Sequence, residues 1–138
     1  MEIIALEGKS NAGKTTVINV VYQLMLEMGY TQIPGRFQDL DNNDFLDVLT
    51  NENQTVGIVS QGDYARGKYA VKNHLATLES FGCDKAICAC STDKSSEIKA
   101  AILAYPNTIV AKLPQPVVAL QRIDNHKDAK TLISVSSV

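Results

Sequence analysis

The chain has 138 residues and a mass of 15.0 kDa, the size of a single domain spanning 1–138. Hydrophobic residues make up 45% and charged residues 20%, which excludes a disordered chain. Thirteen basic residues against fifteen acidic ones give a net charge of −2, which excludes a strongly basic surface, so no nucleic-acid partner is expected. No apolar run approaches the roughly 18 residues of a membrane helix, so no membrane partner is expected either. The opening residues Met1–Leu6 lack the charged start of a signal peptide, and three cysteines are an odd number, so reduced thiols in the cytoplasm are expected.

Ile3–Leu6 is a compact apolar run that reads as a buried first strand. A glycine-rich loop follows from Gly8. Val17, Val21, Leu24 and Met28 then recur at helical spacing from Lys14 onward, and Gly29 reads as the residue that ends that helix. Residues 31–44, rich in Gln, Asn and Asp, read as a loop long enough to be functional. Phe45–Leu49 and Val56–Val59 read as a hairpin around Asn51–Gln54. Val71, Leu75 and Leu78 mark a second helix closed by Gly82, and Ala86–Ala89 another buried strand. Ser95 or Asp93 can cap a helix carrying Ile98, Ile102 and Tyr105, which Pro106 ends. Thr108–Leu113 reads as the last strand, and 117–138 as one helix, with a break near Asp124-Asn125 left open as an alternative.

Gly8-Lys9-Ser10-Asn11-Ala12-Gly13-Lys14-Thr15 fits G-x-x-x-x-G-K-[ST], the P-loop or Walker A pattern, with Thr16 directly behind it. The glycines let the backbone wrap so that successive N–H groups point at phosphate oxygens. The helix that opens at the loop's end adds its positive dipole. Lys14 can reach the β- and γ-phosphates, and the Thr15 hydroxyl can ligate Mg²⁺. The position of the match, between an apolar strand and a helix, is the context the motif requires.

On these residues the chain resembles the P-loop NTPases, in architecture from about residue 2 to residue 113 and in specific motif from Ile3 to Thr16. Lys9, five residues before Lys14, is similar to the first lysine of the deviant Walker A loop of the chromosome-partitioning ATPases and the nitrogenase iron protein, although Ser10-Asn11 replace its two glycines. In that family the first lysine contacts phosphates across a dimer, so the resemblance implies a homodimer. The plain alternative for Lys9 is a solvated side chain.

The same resemblance calls for an acidic residue at the end of the neighbouring strand, to hold Mg²⁺ through water. After Val56–Val59 that position is Ser60, and Asp63 is the nearest acid that follows. Asp63 is therefore expected on the Mg²⁺ side with Thr15, and as a cap for a helix starting near Tyr64. Arg66, Lys68 and Lys72 follow, with 68 and 72 expected on one helix face. Arg66 is the candidate for stabilising transferred-phosphate charge. Asp39, Asp41, Asp44 and Asp47 make the preceding loop acidic; one of them could orient water or accept a proton, and the sequence does not select which. Cys83, Cys88 and Cys90 read as buried structural thiols.

The expected fold is α/β, a P-loop NTPase-type three-layer α/β/α arrangement. Its sheet has five mostly parallel strands in the order 2-3-1-4-5, with strand 2 antiparallel at the edge. No guanine-reading N-K-x-D follows the last strand, so ATP is preferred over GTP. The expected activity is that of an ATP(GTP)-Mg²⁺ hydrolase acting as a small ATPase or switch, with Lys14, Lys9, Asp63 and Arg66 as its catalytic residues. A small kinase acting on a metabolite or nucleotide and a non-catalytic nucleotide-binding module are the alternatives.

Overall fold

Short apolar runs become strands and longer periodic stretches become helices throughout residues 1–138, all of which the computed structural model describes. In chain order the elements are β1 (Glu2–Gly8), α1 (Lys14–Glu27), β2 (Thr31–Gln32), β3 (Gln38–Asp39), β4 (Phe45–Thr50), β5 (Thr55–Val59), α2 (Val71–Ser80), β6 (Lys85–Ser91), α3 (Ser96–Leu103), β7 (Asn107–Ala111) and α4 (Val118–Ser136). One mixed sheet of seven strands runs β2-β4-β5-β6-β1-β7, and β3 also pairs with β4. The strands from β5 to β7 along this path are parallel, whereas β4 is antiparallel to β5, and β2 and β3 are antiparallel to β4.

This sheet corrects the five-stranded order 2-3-1-4-5. The second strand of the hairpin, β5, does not lie beside β1, because β6 stands between them. The reason is connection and length. A β-helix-β crossover through α2 sets β6 directly next to β5, as consecutive elements usually pack. β6 then matches all seven residues of β1, from Glu2↔Lys85 to Gly8↔Ser91, whereas β5 has five residues. Nor does β4 form the edge, since two dipeptide strands from the loop 31–44 cover it at Thr31↔Thr50 and Gln38↔Leu46.

The sheet is buried on both faces, as parallel sheets are. Ile4 and Leu6 of β1, with Ile58 and Ile87, pack under α1 and α4 against Val17, Val21 and Leu132. Ile3 and Ala5, with Val59, Cys88 and Cys90, pack under α2 and α3 against Leu75, Leu78 and Ile98. All three cysteines are free and buried.

Helix α1 ends as its sequence suggests. Gly29 takes φ +99°, its N–H donates to the Leu26 carbonyl and that of Tyr30 donates to the Met25 carbonyl, the Schellman pairing. Ser95 caps α3 by accepting from the Glu97 N–H at 3.2 Å. The tail is the one helix expected, α4 from Val118 to Ser136, without the alternative break at Asp124-Asn125. The buried Lys112, just past β7, pairs with Asp128 at 2.7 Å and ties that helix to the sheet. Helix α2 starts at Val71, so Asp63 does not cap it and Lys68 precedes it rather than sharing its face with Lys72. No helix is long and apolar enough to cross a membrane.

Candidate functional site

The site forms where β1 and β6 end side by side and the chain turns from β1 into α1. Close approach fixes the glycine at the start of this turn, since a Cβ on Gly8 would stand 2.9 Å from the Lys112 carbonyl oxygen. Asn11 and Gly13 take φ of 65° and 98°, the left-handed region that glycine enters without cost. Gly13 stands at the N-cap of α1 and no side chain caps that helix, so its first-turn N–H groups have no side-chain partner. Lys14 opens the helix. Its side chain is buried and curls back, so that Nζ donates to the Lys9 carbonyl at 2.6 Å. Burial lowers the Lys14 pKa, while Asp63 and then Asp93 act to raise it.

A cavity of about 650 Å³ opens over this turn. Ser10, Asn11, Gly13, Lys14, Thr15 and Thr16 line it from the loop and α1, and Asp63 and Lys94 line it from the strand ends opposite. Gly8, Lys9, Ala12 and Arg66 are not in its wall. The carbonyl of Lys9 holds Lys14, but the Lys9 residue is exposed. Arg66 forms an exposed ion pair with Glu97 at 3.1 Å, and the Lys68 ammonium lies 4.8 Å from the centre of the Tyr69 ring.

Asp63 is held on the far side of the cavity. Its carboxylate accepts from the Ser91 hydroxyl at the end of β6. The chain reaches that point because Gly62 lies flat on β6 and its carbonyl accepts from the Ser91 N–H at 3.0 Å. Asp93, in the next turn, accepts from both the N–H and the hydroxyl of Ser10, at 2.9 and 3.0 Å. The Ser10 N–H beside it holds the Asp93 carboxyl below its ordinary pKa.

The four acids of the 39–47 region have separate fates. Asp47 is buried and accepts from the Tyr22 hydroxyl at 2.6 Å. Asp41 accepts from the Tyr69 hydroxyl at 2.5 Å, and Asp39 from the Asp41 N–H at 2.8 Å. Asp44 alone meets the loop. Its Oδ1 accepts from the Thr15 hydroxyl at 3.3 Å and from the Ser60 hydroxyl at 2.9 Å. Burial raises its pKa, and those two hydrogen bonds act to lower it. The sequence held no signal that singled Asp44 out, because the contact depends on β4 running antiparallel to β5, which brings the start of β4 beside the end of β5 at Ser60.

Behind this site, the buried Gln61 donates to the Leu40 carbonyl at 3.3 Å and its Oε1 lies 2.9 Å from His74 Nε2 on α2. Asp44 is not in the wall of the first cavity but borders a second one of about 530 Å³ with Tyr22, Phe37, Phe45 and Asp39. No group of three or more His, Cys, Asp or Glu side chains stands close enough to form a metal cluster. A Mg²⁺ site at Thr15 would instead use hydroxyl, carboxylate and water oxygens, and the donors around Thr15 are of that hard type. No protein-family model, curated protein or solved structure matches the chain.

Proposed function

We propose that this protein is a P-loop-type nucleotide-binding protein of the cytoplasm that holds ATP or GTP with Mg²⁺ and hydrolyses it as a small ATPase or switch. One observation carries the reading. Lys14, at the first position of α1, is a buried ammonium whose only hydrogen-bond partner is the carbonyl of its own loop, and it lines a cavity bordered by an uncapped helix start. A buried cation and unpartnered N–H groups together suit an anion such as a triphosphate.

In this reading Lys14 binds the β- and γ-phosphates, and residues from Gly8 to Thr16 wrap them. Thr15 and Asp63 hold Mg²⁺, which supplies charge neutralisation at the phosphates. Lys9 is exposed and acts across a homodimer. Arg66 would have to leave Glu97 to reach the phosphates, and their exposed ion pair costs little to open. The three buried thiols suit a reducing compartment.

A second reading, a small kinase, is favoured by the neighbouring cavity. It is large enough for a metabolite, is walled by Tyr22, Phe37 and Phe45, and its Asp44 accepts from Thr15, which lines the first cavity. Phosphate release from ATP and GTP with Mg²⁺, with and without a panel of acceptors, tests both readings. Release without acceptor that disappears in Lys14→Ala supports the hydrolase. Turnover that requires an acceptor supports the kinase, and no binding of either nucleotide sinks both.

A further inference from the structure

We infer that Asp44, from the turn before β4, is a carboxylate that faces a divalent cation at Thr15 and so takes over the task of the missing acid at the end of β5. This rests on the nucleotide reading above and adds a residue to its metal side.

The end of β5 carries Ser60, which has no charge to offer a cation. Its hydroxyl instead accepts from the Phe45 N–H at 2.9 Å and donates to Asp44 at 2.9 Å. The carboxylate thus stands beyond the serine, on the next strand, and still reaches the Thr15 hydroxyl. Both of its hydrogen bonds end on Oδ1, which leaves Oδ2 without one. None of the chain's ion pairs includes Asp44. Oδ2 is open to solvent, where a cation held at Thr15 can meet it.

The backbone holds Asp44 there at some expense. Asp41, Asn42 and Asn43 take φ of 67°, 52° and 66°, three left-handed residues in succession and none of them glycine. The turn closes through the Leu40 N–H to the Asp44 carbonyl and the Asp44 N–H to the Asp41 carbonyl, both at 2.9 Å. Gln61 fixes it from beneath through the Leu40 carbonyl. Asp63 differs in that Ser91 engages it on the opposite wall. The two carboxylates approach Thr15 and Lys14 from different elements.

The test is calorimetric titration of ATP into the full chain, in Mg²⁺ and in EDTA, for wild type and Asp44→Asn. The amide oxygen of asparagine can still accept from Thr15 and Ser60, so the fold is kept, and a thermal melt checks this. Wild type should gain affinity from Mg²⁺, and Asp44→Asn should lose about tenfold or more of that gain, the scale of one charge-assisted contact. Its affinity in EDTA should not fall. On the wild type itself, the carboxyl ¹³C shift of Asp44 should move when Mg²⁺ is added to the ATP complex. A full Mg²⁺ gain in Asp44→Asn, or an unmoved Asp44 carboxyl, overturns the assignment. ATP binding with no Mg²⁺ gain in wild type overturns it and leaves the nucleotide reading standing. No ATP binding in either buffer removes that reading and this one with it.

Discussion

Gly62 lies against the backbone of β6 so closely that a Cβ at this position would stand 2.2 Å from the Ala89 carbonyl oxygen. Backbone cannot swing aside as a flexible side chain can. Gly62→Ala must therefore push the β5–α2 loop off β6, with the Ser91–Asp63 contact at its end. The expected loss of stability is about 1–3 kcal/mol, the usual cost of overpacking, read from urea denaturation. Nucleotide binding in Mg²⁺ should weaken beyond what unfolding explains, since Asp63 moves with the loop. A variant as stable as wild type would show that the loop can relax freely.

Lys14 carries a cost in stability. Its ammonium is buried with one carbonyl partner, and burial lowers its pKa. Lys14→Met keeps the aliphatic stem and removes the desolvated charge, so the empty protein should melt at the same temperature or higher. The same change should weaken ATP binding by about 1.5–3 kcal/mol, the worth of a hydrogen bond to a charged group. Thermal melts and ATP titrations of the two proteins check the pair of outcomes. A less stable variant with unchanged affinity would make Lys14 a structural residue.

His74 should give the fold a pH dependence. Burial holds its pKa below the ordinary 6.5, and its ring lies between Gln61 Oε1 at 2.9 Å and the Tyr69 ring at 6.3 Å. The unfolded chain takes up the imidazole proton first as pH falls. Stability from neutral His74 is thus fully present above the ordinary pKa and is lost as pH drops through the lowered folded-state value. Urea midpoints should fall between about pH 7.5 and about pH 5.5, the range in which histidine titrates. His74→Gln, which can still donate to Gln61, should show a flatter profile. Equal slopes would mean that His74 does not control this range.

Most strands and helices could be read from the sequence because each carries its own apolar period. The run 3–6, the hairpin, the 71–78 spacing and the 86–89 run all sit in the sheet or on its faces where that period places them. The dipeptide strands Thr31–Gln32 and Gln38–Asp39 are exposed on every residue, so no alternation marks them. Strand order could not be read because β5 and β6 are both apolar enough to lie beside β1, and only pairing length and crossover decide between them. Within the site, the loop residues follow a local motif and were visible. Asp44 was not, because its contact with Thr15 spans 29 positions of sequence and passes through the antiparallel hairpin.

Lys9 separates a switch that works as a pair from an enzyme that works alone. Its carbonyl accepts from the Lys14 ammonium, which fixes its backbone, while the residue itself is exposed. A second positive charge there contributes to rate only if it meets negative charge that develops in the transition state. Within one protomer the cavity wall does not include Lys9, so the charge it meets would belong to nucleotide on a second copy. Association should then follow nucleotide binding, and turnover per chain should rise with protein concentration. Lys9→Ala should lower turnover strongly and leave ATP affinity nearly intact, because the first copy's own cradle is unchanged. Sedimentation with a non-hydrolysable ATP analogue, beside turnover assays across a concentration series, measures both. A chain that stays monomeric with nucleotide bound, together with a fully active Lys9→Ala, would leave Lys9 as a solvated lysine and the cavity as the site of a monomeric enzyme.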